Sequence, residues 1–86
     1  MKIKEGYILR TVAGEHVAIP SGNELDLSVM LTLNDTGKFL WEQLLTEKTE
    51  DQLLEAVLAE YEAEPQQAAS FIAAFVEKLR EYGCLE

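Results

Sequence analysis

Leu33-Asn34-Asp35-Thr36-Gly37-Lys38-Phe39-Leu40-Trp41 is the stretch on which the fold turns. It joins the end of an apolar, β-rich run to the start of an amphipathic helix that carries the only tryptophan. Asn34 or Asp35 can accept a hydrogen bond from an early helical N–H, so the strand stops and the helix starts within two residues. That junction decides how the strands before it sit against the helices after it. Trp41, on the apolar side of the new helix, reads as the plug between the two.

Upstream, Leu25, Leu27, Val29, Leu31 and Leu33 alternate with Asp26, Ser28, Met30 and Thr32. Such alternation is a half-buried strand with one face on a core. Its start is open, because Leu25 and Leu27 also fit a loop. Further back, Tyr7-Ile8-Leu9-Arg10-Thr11-Val12 is rich in β-branched and aromatic residues, with Ala13-Gly14-Glu15 as a tight turn behind it. His16-Val17-Ala18-Ile19-Pro20 is the return strand of a hairpin, and Pro20, Gly22 and Asn23 open a longer loop.

Downstream, Phe39, Leu40, Leu44 and Leu45, with Trp41 beside them, make one apolar side of a first helix. Thr49-Glu50-Asp51-Gln52 has the capping-box pattern, with acidic residues at the positive end of the helix dipole. Leu53, Leu54, Val57, Leu58 and Tyr61 are the expected buried side of the second helix. Pro65 suits the first turn of a third, where no N–H is needed. There Ala68, Phe71, Ile72, Phe75, Leu79 and Tyr82 recur at three- and four-residue steps, and Gly83 suits a left-handed terminator. The expectation is a single α+β domain over residues 1–86, a three-stranded antiparallel sheet followed by three helices packed on one of its faces.

At 86 residues the chain is near the lower end of what folds without staples, and its 48% hydrophobic fraction supplies a core. One cysteine excludes an intramolecular disulfide, and Cys84 beside Leu85 fits a small buried thiol. Met1-Lys2-Ile3-Lys4-Glu5 leads straight into strand-like sequence without the long apolar core of a signal peptide, and no apolar run approaches a bilayer span. A cytoplasmic location without membrane contact is the default. Net charge is −9, from 16 acidic against 7 basic residues, and the scattered Lys and Arg form no stripe to neutralise a phosphate backbone. No nucleic-acid partner is expected.

Catalysis finds no support either. His16 is the only histidine and lies in a strand pattern, with no Ser or Cys nucleophile near it in sequence. Glu50, Asp51 and Glu55 are accounted for by helix-start electrostatics. No glycine-rich phosphate loop, zinc spacing or calcium loop occurs, so neither cofactor nor metal is expected.

The third strand offers more. In a meander its second edge is unpaired unless something covers it, and Ser28-Val29-Met30-Leu31-Thr32 has no Pro or Lys to blunt that edge. An undefended apolar edge is what peptide strand addition uses, with main-chain bonds for affinity and pockets for selectivity. The third helix is the natural second wall. Ile72, Phe75 and Leu79 centre its core stripe; Phe71, Ala74 and Lys78 form one flank, and Ala69, Ala73, Val76 and Arg80 the other. The first flank is preferred, an aromatic beside a small residue and a cation able to seat an apolar side chain and a carboxylate. The candidate peptide-binding residues are therefore Leu27, Ser28, Val29, Met30, Leu31, Thr32, Phe71, Ala74, Phe75 and Lys78. A proline at Val29 or Leu31 would remove a ladder donor wherever that residue's N–H points outward.

Gly14-Glu15-His16-Val17 with Ile19-Pro20, Leu33-Asn34-Asp35-Thr36-Gly37 followed by Trp41-Glu42, Thr49-Glu50-Asp51 ahead of Tyr61, and Phe75-Val76 ahead of Leu79 and Gly83 occur in that order. In these features, over nearly its whole length, the chain resembles the PqqD family. These are peptide-recognition domains used in making ribosomally synthesised, post-translationally modified peptides. The resemblance implies a winged-helix-like fold. It further implies that a precursor's leader peptide adds as a strand to the edge of the third strand, lies against the third helix, and is presented to a modifying enzyme, often a radical-SAM protein. Members often carry an acidic residue where Phe71 stands, so an apolar contact replaces a charged one there. Two other readings share the architecture, a winged-helix DNA-binding domain and a scaffold whose free edge pairs with its own copy.

Overall fold

The computed structural model describes residues 1–20 and 31–86. Strands β1 (Tyr7–Val12), β2 (Glu15–Pro20) and β3 (Leu31–Leu33) precede helices α1 (Asp35–Gln43), α2 (Glu50–Glu60) and α3 (Pro65–Glu81). The sheet is antiparallel in the order β1-β2-β3. This is the α+β arrangement expected from the sequence.

Ala13 and Gly14 reverse the chain between β1 and β2, both with positive φ (52° and 82°). Two left-handed residues in succession match the right-handed twist of the flanking strands, and no third turn residue is needed. Glu15 therefore belongs to β2, paired with Val12, and not to the turn as the sequence reading had it. Leu9, Ala18 and Leu31 lie opposite one another across the three strands. Ala18 and Leu31 are buried and Leu9 is half-buried, so this is the face on which the helices pack.

Asn34 resolves the choice at the junction, since its side chain accepts the Gly37 N–H at 2.7 Å and caps α1. Asp35 instead accepts from His16 Nε2 at 2.7 Å. A carboxylate only accepts, so Nε2 carries the hydrogen of that bond, and Nδ1 on the other side of the ring is hydrogen-bonded with the Thr11 hydroxyl at 2.9 Å. His16 is thus a strut between β2 and the first turn of α1. Thr49 and Gln52 form both bonds of the capping box of α2. Helix α3 ends in a Schellman motif: Gly83 (φ 72°) donates to Arg80 O at 3.0 Å and Cys84 to Leu79 O at 2.9 Å.

The core joins Ala18, Leu31 and Leu33 of the sheet to Leu40 and Trp41 of α1, Leu53 and Val57 of α2, and Ile72, Phe75 and Leu79 of α3. Trp41 is 1% exposed, and Tyr7 meets it edge-to-face at 5.9 Å. Some expected core positions point outward. Leu45 follows the end of α1 and is 54% exposed, while Leu58, Tyr61 and Tyr82 sit at the margins of their stripes. Val76, placed on a flank by the helical wheel, is 2% exposed and belongs to the core. The buried stripe of α3 is therefore wider than the wheel allowed, with Val76 joining Ala68, Ile72, Phe75 and Leu79.

One tie has no signature in the sequence. The N-terminal segment pairs with the C-terminal one through an Ile3↔Leu85 bridge, Lys4 N–H to Cys84 O at 2.8 Å and Glu86 N–H to Lys2 O at 2.9 Å. Ile3 N–H also reaches Leu44 O at 2.9 Å. Among the described residues no helix is long and apolar enough to cross a membrane.

Burial pushes the Cys84 thiol up, against the opposing pull of the Tyr7 hydroxyl bonded to it and of Lys4. Burial also pushes the Tyr7 hydroxyl up, assisted by Cys84. Both groups stay neutral in the folded chain at pH values where the unfolded chain has begun to ionise them. Their contribution to stability is complete below the unfolded thiol value of about 8.5 and is lost as pH rises towards the folded-state values. Thermal unfolding between pH 7 and 10.5 (values chosen to span about these two groups) should show a melting temperature that falls on the alkaline limb. Cys84→Ala should make that limb shallower.

Candidate functional site

The hairpin turn determines which atoms the far edge of the sheet presents. In a two-residue hairpin the closing pair, here Val12 and Glu15, exchanges both of its hydrogen bonds, and bonding alternates along the strand from there. Glu15, Val17 and Ile19 therefore bond to β1, leaving the main-chain groups of His16, Ala18 and Pro20 facing β3. Their partners Leu33 and Leu31 bond back to β2. The N–H and C=O of Thr32 then face the opposite side, where no strand pairs with β3 among the described residues. Leu31 turns its N–H inward to β2, so the condition under which a proline there would remove an outward donor is not met. Thr32 is the residue to which that reasoning applies.

Alongside this edge runs a groove of about 200 Å³ between β3 and α3. Phe71, Ala74, Phe75 and Lys78 line it from α3, at i, i+3, i+4 and i+7 on one helical face. Thr32, Leu33, Asn34 and Gly37 line it from the strand and the start of α1. Leu33, Gly37 and Phe75 are buried and form the floor; Phe71 (38% exposed), Ala74, Lys78, Thr32 and Asn34 form the rim. Phe71 and Phe75 lie with near-parallel rings 6.4 Å apart. Lys78 makes no ion pair among the described residues.

Gly37 keeps the floor low. A Cβ there would come within 3.1 Å of Asn34 Oδ1, the capping atom itself, and within 3.4 Å of Phe75 Cε2. At about 200 Å³ the groove is smaller than the roughly 300–1,000 Å³ typical of small-molecule pockets. It suits one or two side chains of an extended chain. The two helical turns from Phe71 to Lys78 span about 10.5 Å, close to the run of three strand residues.

Of the residues singled out in the sequence, Thr32, Phe71, Ala74, Phe75 and Lys78 line this groove. Leu31 is buried in the core beneath the edge. Leu27, Ser28, Val29 and Met30 lie outside the described residues. Leu33 was read as the end of the third strand, Asn34 as a candidate cap and Gly37 as part of the junction, and none of them as a groove-lining residue. The small residue Gly37 within the first helical turn was the available signal for a close approach there. The Ala69, Ala73 and Arg80 flank of α3 is exposed and does not line the groove.

No curated protein matches this chain significantly. Two solved structures resemble it. TbiB1 in complex with the TbiA(beta) leader peptide aligns with a TM-score of 0.77 at 21% identity, covering 100% of this chain and 95% of that one. Lasso peptide synthetase B1 complexed with the leader peptide aligns with a TM-score of 0.73 at 23% identity, covering 96% and 93%. At these identities the likeness establishes the fold. The model of the family described as coenzyme PQQ synthesis protein D matches residues 7–85, nearly the whole sequence, and the chain belongs to that PqqD family.

Proposed function

We propose that this protein is a non-catalytic module that binds the leader segment of a ribosomally made precursor peptide and presents it to a modifying enzyme. The peptide adds as a strand to the outer edge of β3, exchanging main-chain hydrogen bonds with Thr32. Its side chains on one face enter the groove over Leu33, Gly37 and Phe75, between the β3 edge and Phe71, Ala74 and Lys78. The observation that carries this reading is the outward-facing backbone of Thr32 beside an apolar groove of side-chain size. Membership of the PqqD family and the leader-peptide complexes of the two structural neighbours support the same assignment. The modifying enzyme shares the cytoplasm with this module, and Leu31 supports the peptide edge from the core beneath it.

Titrating the ¹⁵N-labelled protein with the leader of a precursor encoded beside it should shift the amides of Leu31–Leu33 and the Phe71–Lys78 face of α3. Shifts confined to the Ala69, Ala73 and Arg80 flank would refute the site. A mass that doubles with concentration in the absence of peptide would favour self-pairing of the edge instead.

A further inference from the structure

Beyond the C-terminal end of β3, a second depression of about 230 Å³ opens where the three helices meet. Thr36 of α1, Val57 and Tyr61 at the end of α2, and Ala63, Gln67 and Ala68 around the start of α3 bound it. Its exposed surface is mainly carbon. Phe71 lines both this depression and the groove beside β3, so the two adjoin as halves of a trough divided by an aromatic ridge. Tyr61 is held edge-on to Phe39 at 5.5 Å and is 37% exposed, like the ridge itself.

Charge distinguishes this end of the trough. Tyr61 and Ala63 alternate with Glu60, Glu62 and Glu64, all exposed and none ion-paired among the described residues. The chain from Thr49 to Glu77 contains no Lys, Arg or His to offset them. Lys78 lies at the other end, 14 positions along the chain from Glu64, or about 21 Å at helical rise. That exceeds the Debye length of about 8 Å at physiological ionic strength, so the two ends act on a guest independently.

Resting on the peptide-binding reading above, we infer that this depression seats a second apolar side chain of the same peptide, next to a Lys or Arg that meets the carboxylates. The segments of α3 lining the two seats are centred about six residues apart, or about 9 Å. An extended chain covers that distance in about three residues. The second anchor therefore falls outside the part of the guest that pairs with β3. It adds selectivity where main-chain bonding cannot, and the acidic rim favours one direction of threading.

The test uses peptides selected by mRNA display from a random library against the intact protein. Selected peptides should carry a basic residue beside the second of two apolar positions. Gln67→Trp fills the depression from an exposed helical position and should weaken them about tenfold, the equivalent of losing one buried apolar side chain. Glu60→Lys with Glu62→Lys places a cation at the helix end that tolerates one, and should weaken them at least about threefold, less so at high salt. Thermal unfolding confirms that each variant is folded. Peptides that shift the Leu31–Leu33 amides but bind both variants with unchanged affinity overturn the second seat and leave the β3 reading standing. Selected peptides that never shift those amides overturn both.

Discussion

Trp41→Ala should leave the protein largely unfolded at physiological temperature. The side chain is 1% exposed, and it touches the sheet through Tyr7 while sitting on α1. Truncating a buried tryptophan costs about 3–5 kcal/mol in transfer and cavity terms. A small domain is stable by about 5–15 kcal/mol, and a chain of 86 residues belongs near the bottom of that range. At about 4–8 °C per kcal/mol for this size, the melting temperature should fall by roughly 15–30 °C. Circular dichroism during heating measures this directly. Trp41→Phe keeps an aromatic ring against Tyr7 and should cost less than half as much. A similar loss for both variants would mean that volume matters less at this position than the indole itself.

The largest effect on binding is expected from Thr32→Pro. Its N–H is the donor that faces the open side of β3, so proline removes a bond to the guest while sparing the two β2–β3 pairs at Leu31 and Leu33. The guest carbonyl left without a donor loses a hydrogen bond and stays partly desolvated, about 1–3 kcal/mol in all. Affinity for a leader peptide should drop by about 10- to 100-fold by calorimetric titration, with the melting temperature of the free protein little changed. Thr32→Ala keeps the N–H and trims only the Thr32 side chain at the groove rim. It should bind nearly as the parent does, and a loss equal to that of the proline variant would show that strand addition is not the mode.

Much of this fold is legible in local chemistry. The Asn34 cap, the Thr49 and Gln52 box, Pro65 at the start of α3 and Gly83 at its end are each set by interactions spanning a few residues, so the string of residues reports them directly. Long-range consequences are harder to read. Val76 joins the core and Tyr82 leaves it, and burial at the edges of a stripe depends on the tertiary neighbours that a single helical wheel does not contain. The pairing of the first residues with Leu85 depends on where two distant segments end up. For the site, the Phe71, Ala74, Phe75 and Lys78 face follows from helical periodicity alone. That Thr32 and not Leu31 offers the outward N–H requires the strand register, which only the Ala13-Gly14 turn and the pairing of three strands together define. The depression at Tyr61 and Gln67 was missed because three helices contribute to it and none supplies a recognisable pattern.

The lip that would receive a guest is already braced. Directly after β3, Asn34 is committed to capping α1 and Asp35 to His16, which is itself held by Thr11. Immobilising a rotamer-rich side chain on association costs about 0.5–1.5 kcal/mol. At this end of β3 that ordering is complete before any encounter, so the entropy lost on docking there falls mainly on the incoming peptide. Ranking among guests should then follow how readily each one's free chain samples an extended shape, as well as which side chains it carries.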